Sequence, residues 1–73
     1  MTRRDVHELW RLRKDGDVTT CELSSDDSVG FVWHLRLVQN GEVLISRRCV
    51  TLEEARFVAE SLRQDYAGTG WML

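Results

Sequence analysis

The chain has 73 residues, of which 42% are hydrophobic and 30% charged, a composition typical of globular domains. At this length it forms one domain that buries roughly 60% of the surface of its unfolded chain. A net charge of −2 excludes a general electrostatic attraction to nucleic acid. No apolar run approaches the roughly 20 residues of a membrane span, and there is no secretory signal, so we expect a cytoplasmic protein.

The first two strands are predicted by alternating residues on either side of a turn. After residues 1–5, a basic segment that we expect to fray, Val6 to Lys14 alternates as a half-buried strand does. Asp15-Gly16 is a dipeptide typical of a two-residue type I′ hairpin turn. The register that this turn sets pairs Leu12 with Thr19, Trp10 with Cys21 and Glu8 with Leu23.

Both strands of this hairpin agree on which face is apolar, and this agreement supports the register. The next stretch, Ser24 to Ser28, predicts a polar connector. The core side of the hairpin comprises Val6, Trp10, Leu12, Thr19, Cys21 and Leu23, and the opposite side comprises Leu9, Arg11, Arg13, Val18, Thr20 and Glu22.

A second hairpin is predicted around Asn40-Gly41, a dipeptide that tolerates the positive φ angles of a type I′ turn. Residues 31–38 alternate before this turn, and Glu42 to Val50 is the returning strand. Phe31, Trp33, Leu35 and Leu37 fall on one side of the strand before the turn, and Val32, His34, Arg36 and Val38 fall on the other.

The second hairpin allows two registers, and a shift of one residue between them exchanges the faces of the returning strand. We favour a three-residue loop with a bulge at Gly41 over a plain two-residue turn, because the bulge brings Val43, Ile45 and Cys49 to the side of Trp33. The plain turn pairs Leu37 with Leu44 and Leu35 with Ser46, and the bulged loop pairs Leu37 with Val43 and Leu35 with Ile45.

A capping box, Thr51-Leu52-Glu53-Glu54, marks the start of a C-terminal helix. In such a box the Thr51 hydroxyl accepts from the Glu54 amide, and the Glu54 carboxylate accepts from the Thr51 amide. Gly68 is a suitable stop. An apolar stripe with two small residues would let the helix approach a sheet closely. The stripe comprises Leu52, Ala55, Val58, Ala59, Leu62 and Tyr66.

These elements predict an α+β fold of order ββββα, a four-stranded antiparallel sheet of two hairpins with one C-terminal helix packed on one face. Residues 1–73 then form a single small domain. The face without the helix is solvated, covered by the tail, or packed on a second molecule. This face is mixed, with Leu9, Val18, Val32 and Val38 among Arg11, Arg13, Thr20, His34 and Arg36.

Two apolar features lie outside this pattern. Phe57 points away from the helix stripe, so it is either covered by the apolar tail of residues 69–73 or exposed as a contact surface. The tail, which contains Trp71, should dock on its own domain or on a partner subunit. Together with the uncovered face, these features predict an interaction surface. Its candidate residues are Phe57, Trp71, Leu9, Arg11, Arg13, His34 and Arg36.

The sequence carries no pattern that supports an enzyme, a cofactor or a metal site. The sequence around His7 and His34 shows no spacing of nucleophile, carboxylate or phosphate loop by which an acid–base pair is recognised. Cys21 and Cys49 lie far apart without a Cys-x-x-Cys motif, whereas a zinc site needs about four ligands. We expect both to be buried thiols that act as small hydrophobic side chains.

The sequence therefore predicts a small non-enzymatic interaction module that forms a homodimer or binds another protein. The alternative is single-stranded nucleic-acid binding through the arginine-bearing sheet face, because such faces stack bases in known domains. The ββββα order is similar to that of one repeat of the single-strand-binding Pur-type domains. Against this alternative, the aromatic residues predicted in the sheet fall on the helix side.

Several segments resemble a group of short uncharacterised bacterial proteins. They are Glu8-Leu9-Trp10-Arg11-Leu12, the hairpin closing on Asn40-Gly41-Glu42, Cys49 before Thr51-Leu52-Glu53-Glu54-Ala55, and Gly70-Trp71. The resemblance spans most of the chain but rests on residues that form the fold. It implies a free-standing bacterial protein, and no activity, substrate or binding residue.

Overall fold

The computed structural model of the protein describes residues 6–26 and 32–73, the side chain of residue 26 excepted. The predicted fold class is confirmed: four antiparallel strands form one sheet in the order β1-β2-β3-β4, and one helix packs against it. The predictions for residues 1–5, for Phe31 and for the end of the polar connector lie outside the described residues. The elements are β1 (Val6–Lys14), β2 (Asp17–Asp26), β3 (Val32–Gln39), β4 (Glu42–Cys49) and α1 (Leu52–Ala67).

The first hairpin turns at Asp15 and Gly16, whose φ angles of 50° and 84° are those of a type I′ turn. Trp10 faces Cys21 and Leu12 faces Thr19, as predicted. The predicted pair of Glu8 with Leu23 is wrong, because the register shifts between Glu8 and Trp10 and leaves Leu9 as an extra residue. Beyond this bulge, Glu8 faces Glu22, His7 faces Leu23 and Val6 faces Ser24.

This bulge also corrects the predicted face of Val6. Facing residues in an antiparallel pair point to the same side of the sheet, and successive residues point to opposite sides. His7 therefore takes the core side opposite Leu23. Val6, opposite Ser24, lies on the other face, away from Trp10.

The second hairpin follows neither of the two predicted registers. Asn40 and Gly41 form a two-residue turn, with φ angles of 51° and 85°, and Val38 faces Val43. One residue further along β4 the register shifts, so that Leu44 is extra and Leu37 faces Ile45. Ile45 and Cys49 thus share a side with Trp33, as predicted. Val43, however, lies on the opposite face, and Leu35 faces Arg47.

Contacts of Asn40 with β2 explain why the bulge is not at the turn. The Asn40 amide donates to the Val18 carbonyl at 3.0 Å, and the Val18 amide donates to Asn40 Oδ1 at 3.0 Å. Asn40 Nδ2 also donates to Asp17 Oδ1 at 2.9 Å. These bonds fix Asn40 as a turn residue, so the extra residue is accommodated inside β4.

The polar stretch that begins at Ser24 is partly strand. Ser24 faces His34, and Ser25 faces Trp33, so β2 continues to Asp26. The prediction of a connector from Ser24 is therefore wrong for its first three residues. Strand propensity depends on neighbouring strands, and β3 supplies a full row of backbone partners here.

The core lies between the sheet and the helix. All five residues predicted for the core side of the first hairpin from Trp10 onward are buried. The helix contributes Ala55 and Ala59, and the longer residues of its predicted stripe pack around them. The buried core comprises Trp10, Leu12, Thr19, Cys21, Leu23, Leu35, Leu37, Cys49, Ala55 and Ala59.

The helix begins at the predicted cap. The Glu54 amide donates to Thr51 Oγ1 at 3.1 Å, as predicted. The return bond differs from the prediction, because Glu54 Oε2 accepts from the amide of Val50 (3.1 Å) instead of Thr51. The carboxylate thereby joins the helix start to the end of β4. Gly68 is the C-cap and keeps a right-handed conformation.

The two alanines of the stripe set the distance between helix and sheet. Because Ala59 has only a methyl group, the helix backbone comes close enough for Trp10 Nε1 to donate to the Ala59 carbonyl at 2.9 Å. This bond satisfies the only polar group of a buried indole. The helix therefore crosses the sheet in close contact with β1.

We predict that Ala59→Leu lowers the free energy of unfolding by about 1 to 3 kcal/mol, because a larger side chain at a close-packed site forces the two layers apart. Urea denaturation followed by tryptophan fluorescence measures the change. Ser61→Leu, on the exposed side of the same helix, is the matched control and should change the stability little. Equal losses in both variants would show that the close approach at Ala59 is not required.

Candidate interaction surfaces

The seven residues predicted for the interaction surface occupy four separate places. The open face of the sheet, opposite the helix, carries Arg11, Arg13, His34 and Arg36. Leu9 lies at the β1 bulge, Trp71 beside the end of the helix, and Phe57 on the outer side of the helix. The structure therefore does not bring them together into one surface.

Cross-strand rows place the polar residues of the open face side by side. Arg48 of β4 belongs to this face as well. It was not among the predicted residues, although it adjoins Cys49, which was predicted on the Trp33 side, and successive strand residues point to opposite sides. The rows are Arg11, Thr20, Val38 and Val43; Glu8, Glu22, Arg36 and Ser46; and Val6, Ser24, His34 and Arg48.

Carboxylates accompany the arginines on this face. Arg11 donates to Glu8 Oε1 from Nη2 at 2.8 Å and from Nε at 3.1 Å, and Arg36 lies directly opposite Glu22. The two tryptophans of the sheet, Trp10 and Trp33, lie on the helix side. The open face thus has cations with neighbouring anions, and the aromatic residues of the described strands are turned away from it.

The β1 bulge corrects the predicted position of Leu9, which the sequence placed on the open face. Leu9 is 38% exposed and lines a groove of about 380 Å³ on the helix side of the sheet. An extra residue in a bulge changes the direction of the side chains next to it. The groove is lined by His7, Leu9, Leu23, Trp33, Leu52 and Arg56.

The apolar tail docks on its own domain, one of the two predicted outcomes. The Trp71 amide donates to the Tyr66 carbonyl at 3.2 Å, and the two rings meet edge to face with centroids 5.4 Å apart. Met72 pairs with Arg13 through two backbone hydrogen bonds of 2.6 and 3.0 Å. Lys14 Nζ donates to the Thr69 carbonyl at 2.6 Å. The tail therefore covers the end of the outer edge of β1.

Phe57 is 74% exposed, so the tail does not cover it. The outer side of the helix around it is otherwise polar. Further along, Arg63 donates two hydrogen bonds to Glu60, at 2.5 and 2.9 Å, and these bonds lower the pKa of that carboxyl. Phe57 is thus an isolated aromatic on a charged helix face.

The other edge of the sheet is exposed along most of its length. In β4 only Cys49 is buried, and Val43, Leu44 and Ile45 are 49%, 47% and 39% exposed. Val50, which follows the strand, is 77% exposed. Sequence reasoning did not select these aliphatic residues, because identifying β4 as an outer strand requires the order of the strands.

Cys21 and Cys49 lie in the interior of the described part of the chain. Burial raises the pKa of Cys21 to about 11 and also raises the pKa of Cys49, so both thiols stay protonated at neutral pH. Both are free and buried. Within residues 6–26 and 32–73, no three His, Cys, Asp or Glu side chains are grouped to hold a metal ion.

No helix in residues 6–26 and 32–73 has both the length and the apolarity that crossing a membrane requires.

Comparison with known proteins gives no relative for this chain: no protein-family model, curated protein or solved structure matches it significantly.

We predict that Gly70→Ala loosens the tail from β1. Gly70 has a φ of 98°, a conformation that disfavours alanine by about 1 kcal/mol or more. The added methyl group itself would not clash, because it would only touch the Lys14 side chain at an ordinary contact distance. Hydrogen exchange at the Arg13 amide, which donates to Met72, should accelerate.

Gly68→Ala is the matched control, because Gly68 has a φ of −66° that alanine adopts readily. It should leave exchange at Arg13 unchanged. Unchanged exchange in Gly70→Ala as well would show that the tail does not depend on the conformation at Gly70.

Proposed function

We propose that this protein is a small non-enzymatic interaction module of the cytoplasm, and that it self-associates through the open edge of β4. The observation that supports this proposal is the difference between the two edges of the sheet. The β1 edge is covered at Arg13 by the chain's own tail, whereas β4 carries exposed aliphatic side chains along an edge without a partner strand in the described chain.

The path of the helix explains why β4 remains exposed. The helix begins at Leu52, three residues beyond Cys49, and crosses toward β1, where Ala59 meets Trp10. The half of β4 near the Asn40-Gly41 turn is therefore left without a covering layer. Ile45, although it is on the helix side, is 39% exposed for this reason.

The edge of β4 leaves backbone groups without partners and aliphatic side chains in water, and an added strand would remedy both. It would give hydrogen-bond partners to the outward backbone groups of β4 and would cover Val43, Leu44 and Ile45. Natural edge strands commonly carry bulges or charges that prevent indiscriminate pairing. The bulge at Leu44 and the arginines at positions 47 and 48 restrict β4 to a strand of matching shape and charge, such as a second copy.

Phe57 is the other candidate site of self-association, and β4 differs from it in offering backbone groups for pairing. Single exposed apolar residues are common on monomeric proteins and require no partner. Phe57 has charged neighbours and offers one side chain, whereas β4 offers a row of backbone groups and three adjacent aliphatic residues. We therefore assign self-association to β4.

We predict that light scattering across a concentration series gives the mass of a dimer, and that Val43→Lys shifts the protein to the monomer. A charge at position 43 would have to be desolvated in the interface. Val6→Lys is the matched control, because Val6 is 46% exposed on the other outer strand and on the same face.

Phe57→Ala provides the second control and should keep both the dimer and the thermal midpoint of the parent. If Phe57→Ala abolishes association while Val43→Lys does not, the interface is the outer helix face and the proposal is wrong. A parent protein that stays monomeric at all concentrations would also contradict it.

The open face supports a second candidate function, single-stranded nucleic-acid binding. Arg11, Arg13, Arg36 and Arg48 lie there together, and such cations contact phosphates. Carboxylates beside two of them weaken the attraction. A titration with single-stranded DNA at two salt concentrations tests this function, and binding lost in Arg36→Glu with the dimer intact would favour it.

A further inference from the structure

We infer that two copies of this chain pair β4 with β4 in antiparallel orientation about a two-fold axis at Ile45, and so form a continuous eight-stranded sheet. This inference rests on the proposed self-association and specifies its register. It assigns a role to Glu42, and it gives Arg47 a second carboxylate partner besides Glu54 of its own chain.

The faces of β4 limit the registers that two identical strands can adopt. Facing residues in an antiparallel pair must point to the same side of the sheet. The pairing with β3 places Val43, Ser46 and Arg48 on the open face, and it places the other four paired positions on the helix side. These helix-side positions are Glu42, Ile45, Arg47 and Cys49.

An axis at Ile45 satisfies this condition on both sides of the bulge. Leu44 is the extra residue of each strand, so Val43 meets Ser46 of the second copy on the open face. Ile45 meets its own equivalent on the helix side. One position further out, Glu42 meets Arg47 of the second copy, also on the helix side.

The charges of β4 favour a two-fold axis at Ile45 over an axis at either of the next two residues. Symmetry creates the pair of Glu42 with Arg47 twice, once at each end of the interface, and opposite charges directly across two strands stabilise the pairing. An axis at Ser46 would place Ile45 against Arg47, without an oppositely charged pair. An axis at Arg47 would bring two arginines together.

The starts of the two helices are kept apart in this arrangement. Each helix begins at the Cys49 end of its β4, and in an antiparallel dimer these ends are at opposite sides of the interface. The Arg47 side chain is 55% exposed and lies 4.0 Å from Glu54 at the helix start, so its guanidinium is accessible to a further carboxylate.

Charge reversal tests the register directly. Glu42→Lys should weaken the dimer about tenfold or more, because it opposes Arg47 with a like charge at both ends, and Arg47→Glu should do the same. An equimolar mixture of the two variants should dimerise with about the parent affinity, since both pairs are then attractive. The double variant, with both changes in one chain, should recover the homodimer.

Analytical ultracentrifugation measures the dissociation constants of the parent, the two single variants, their mixture and the double variant, and thermal unfolding confirms that each variant is folded. Ile45→Cys adds a geometric test, because cysteines at a two-fold axis should form an intermolecular disulfide under mild oxidation. Val6→Cys is its control, and the parent's own thiols are buried.

The possible results distinguish a wrong register from a wrong proposal of self-association. Weak dimers for each single variant, with recovery in the mixture, support the register. Parent-like dimers for both single variants would overturn the register and leave self-association intact. A monomeric parent would overturn the self-association as well.

Discussion

The close contact between Trp10 and Ala59 determines how the other parts of this protein are arranged. A small residue at position 59 allows the helix backbone to accept a hydrogen bond from a buried indole, and this fixes where the helix crosses β1. The end of the helix then places Tyr66 between Trp10 and Trp71, whose ring centroids lie 6.3 and 5.4 Å from its own. The tail is thereby directed to the edge of β1, and the half of β4 near the Asn40-Gly41 turn is left uncovered.

The irregularities of the sheet are confined to its outer strands. The pairing of β2 with β3 runs from Thr19–Gln39 to Asp26–Val32 without a shift, whereas β1 has a bulge at Leu9 and β4 has one at Leu44. A bulge bends a strand and changes its twist, and an outer strand tolerates this because it has only one neighbour to match. Each bulge also redirects the residues next to it, which explains both the groove position of Leu9 and the face of Val43.

Local signals in the sequence were sufficient for the fold but not for its register. Alternation, two type I′ turns and the Thr51 cap predict every element, because each depends on neighbouring residues. The bulges depend on contacts between distant parts of the chain, such as that of Asn40 with Val18, and no local pattern reveals them. The same distinction applies to the candidate surfaces. The arginine-bearing open face is predictable from the alternation of residues along each strand. The exposure of β4 is not, because it depends on the order of the strands and on the path of the helix.

The tail on β1 also has a consequence for biosynthesis. β1 is synthesised before the helix and the tail: Ala59, which accepts from Trp10, follows it by 49 residues, and Met72, which pairs with Arg13, follows it by 59. The three strand pairings are between sequence neighbours, so the sheet is able to assemble before the helix arrives. A sheet of this kind without its helix exposes its apolar face and both edges at once, and such exposure makes a folding species prone to aggregate. Completion of the helix covers the apolar face, and the tail covers the Arg13 end of β1, whereas the edge of β4 stays open.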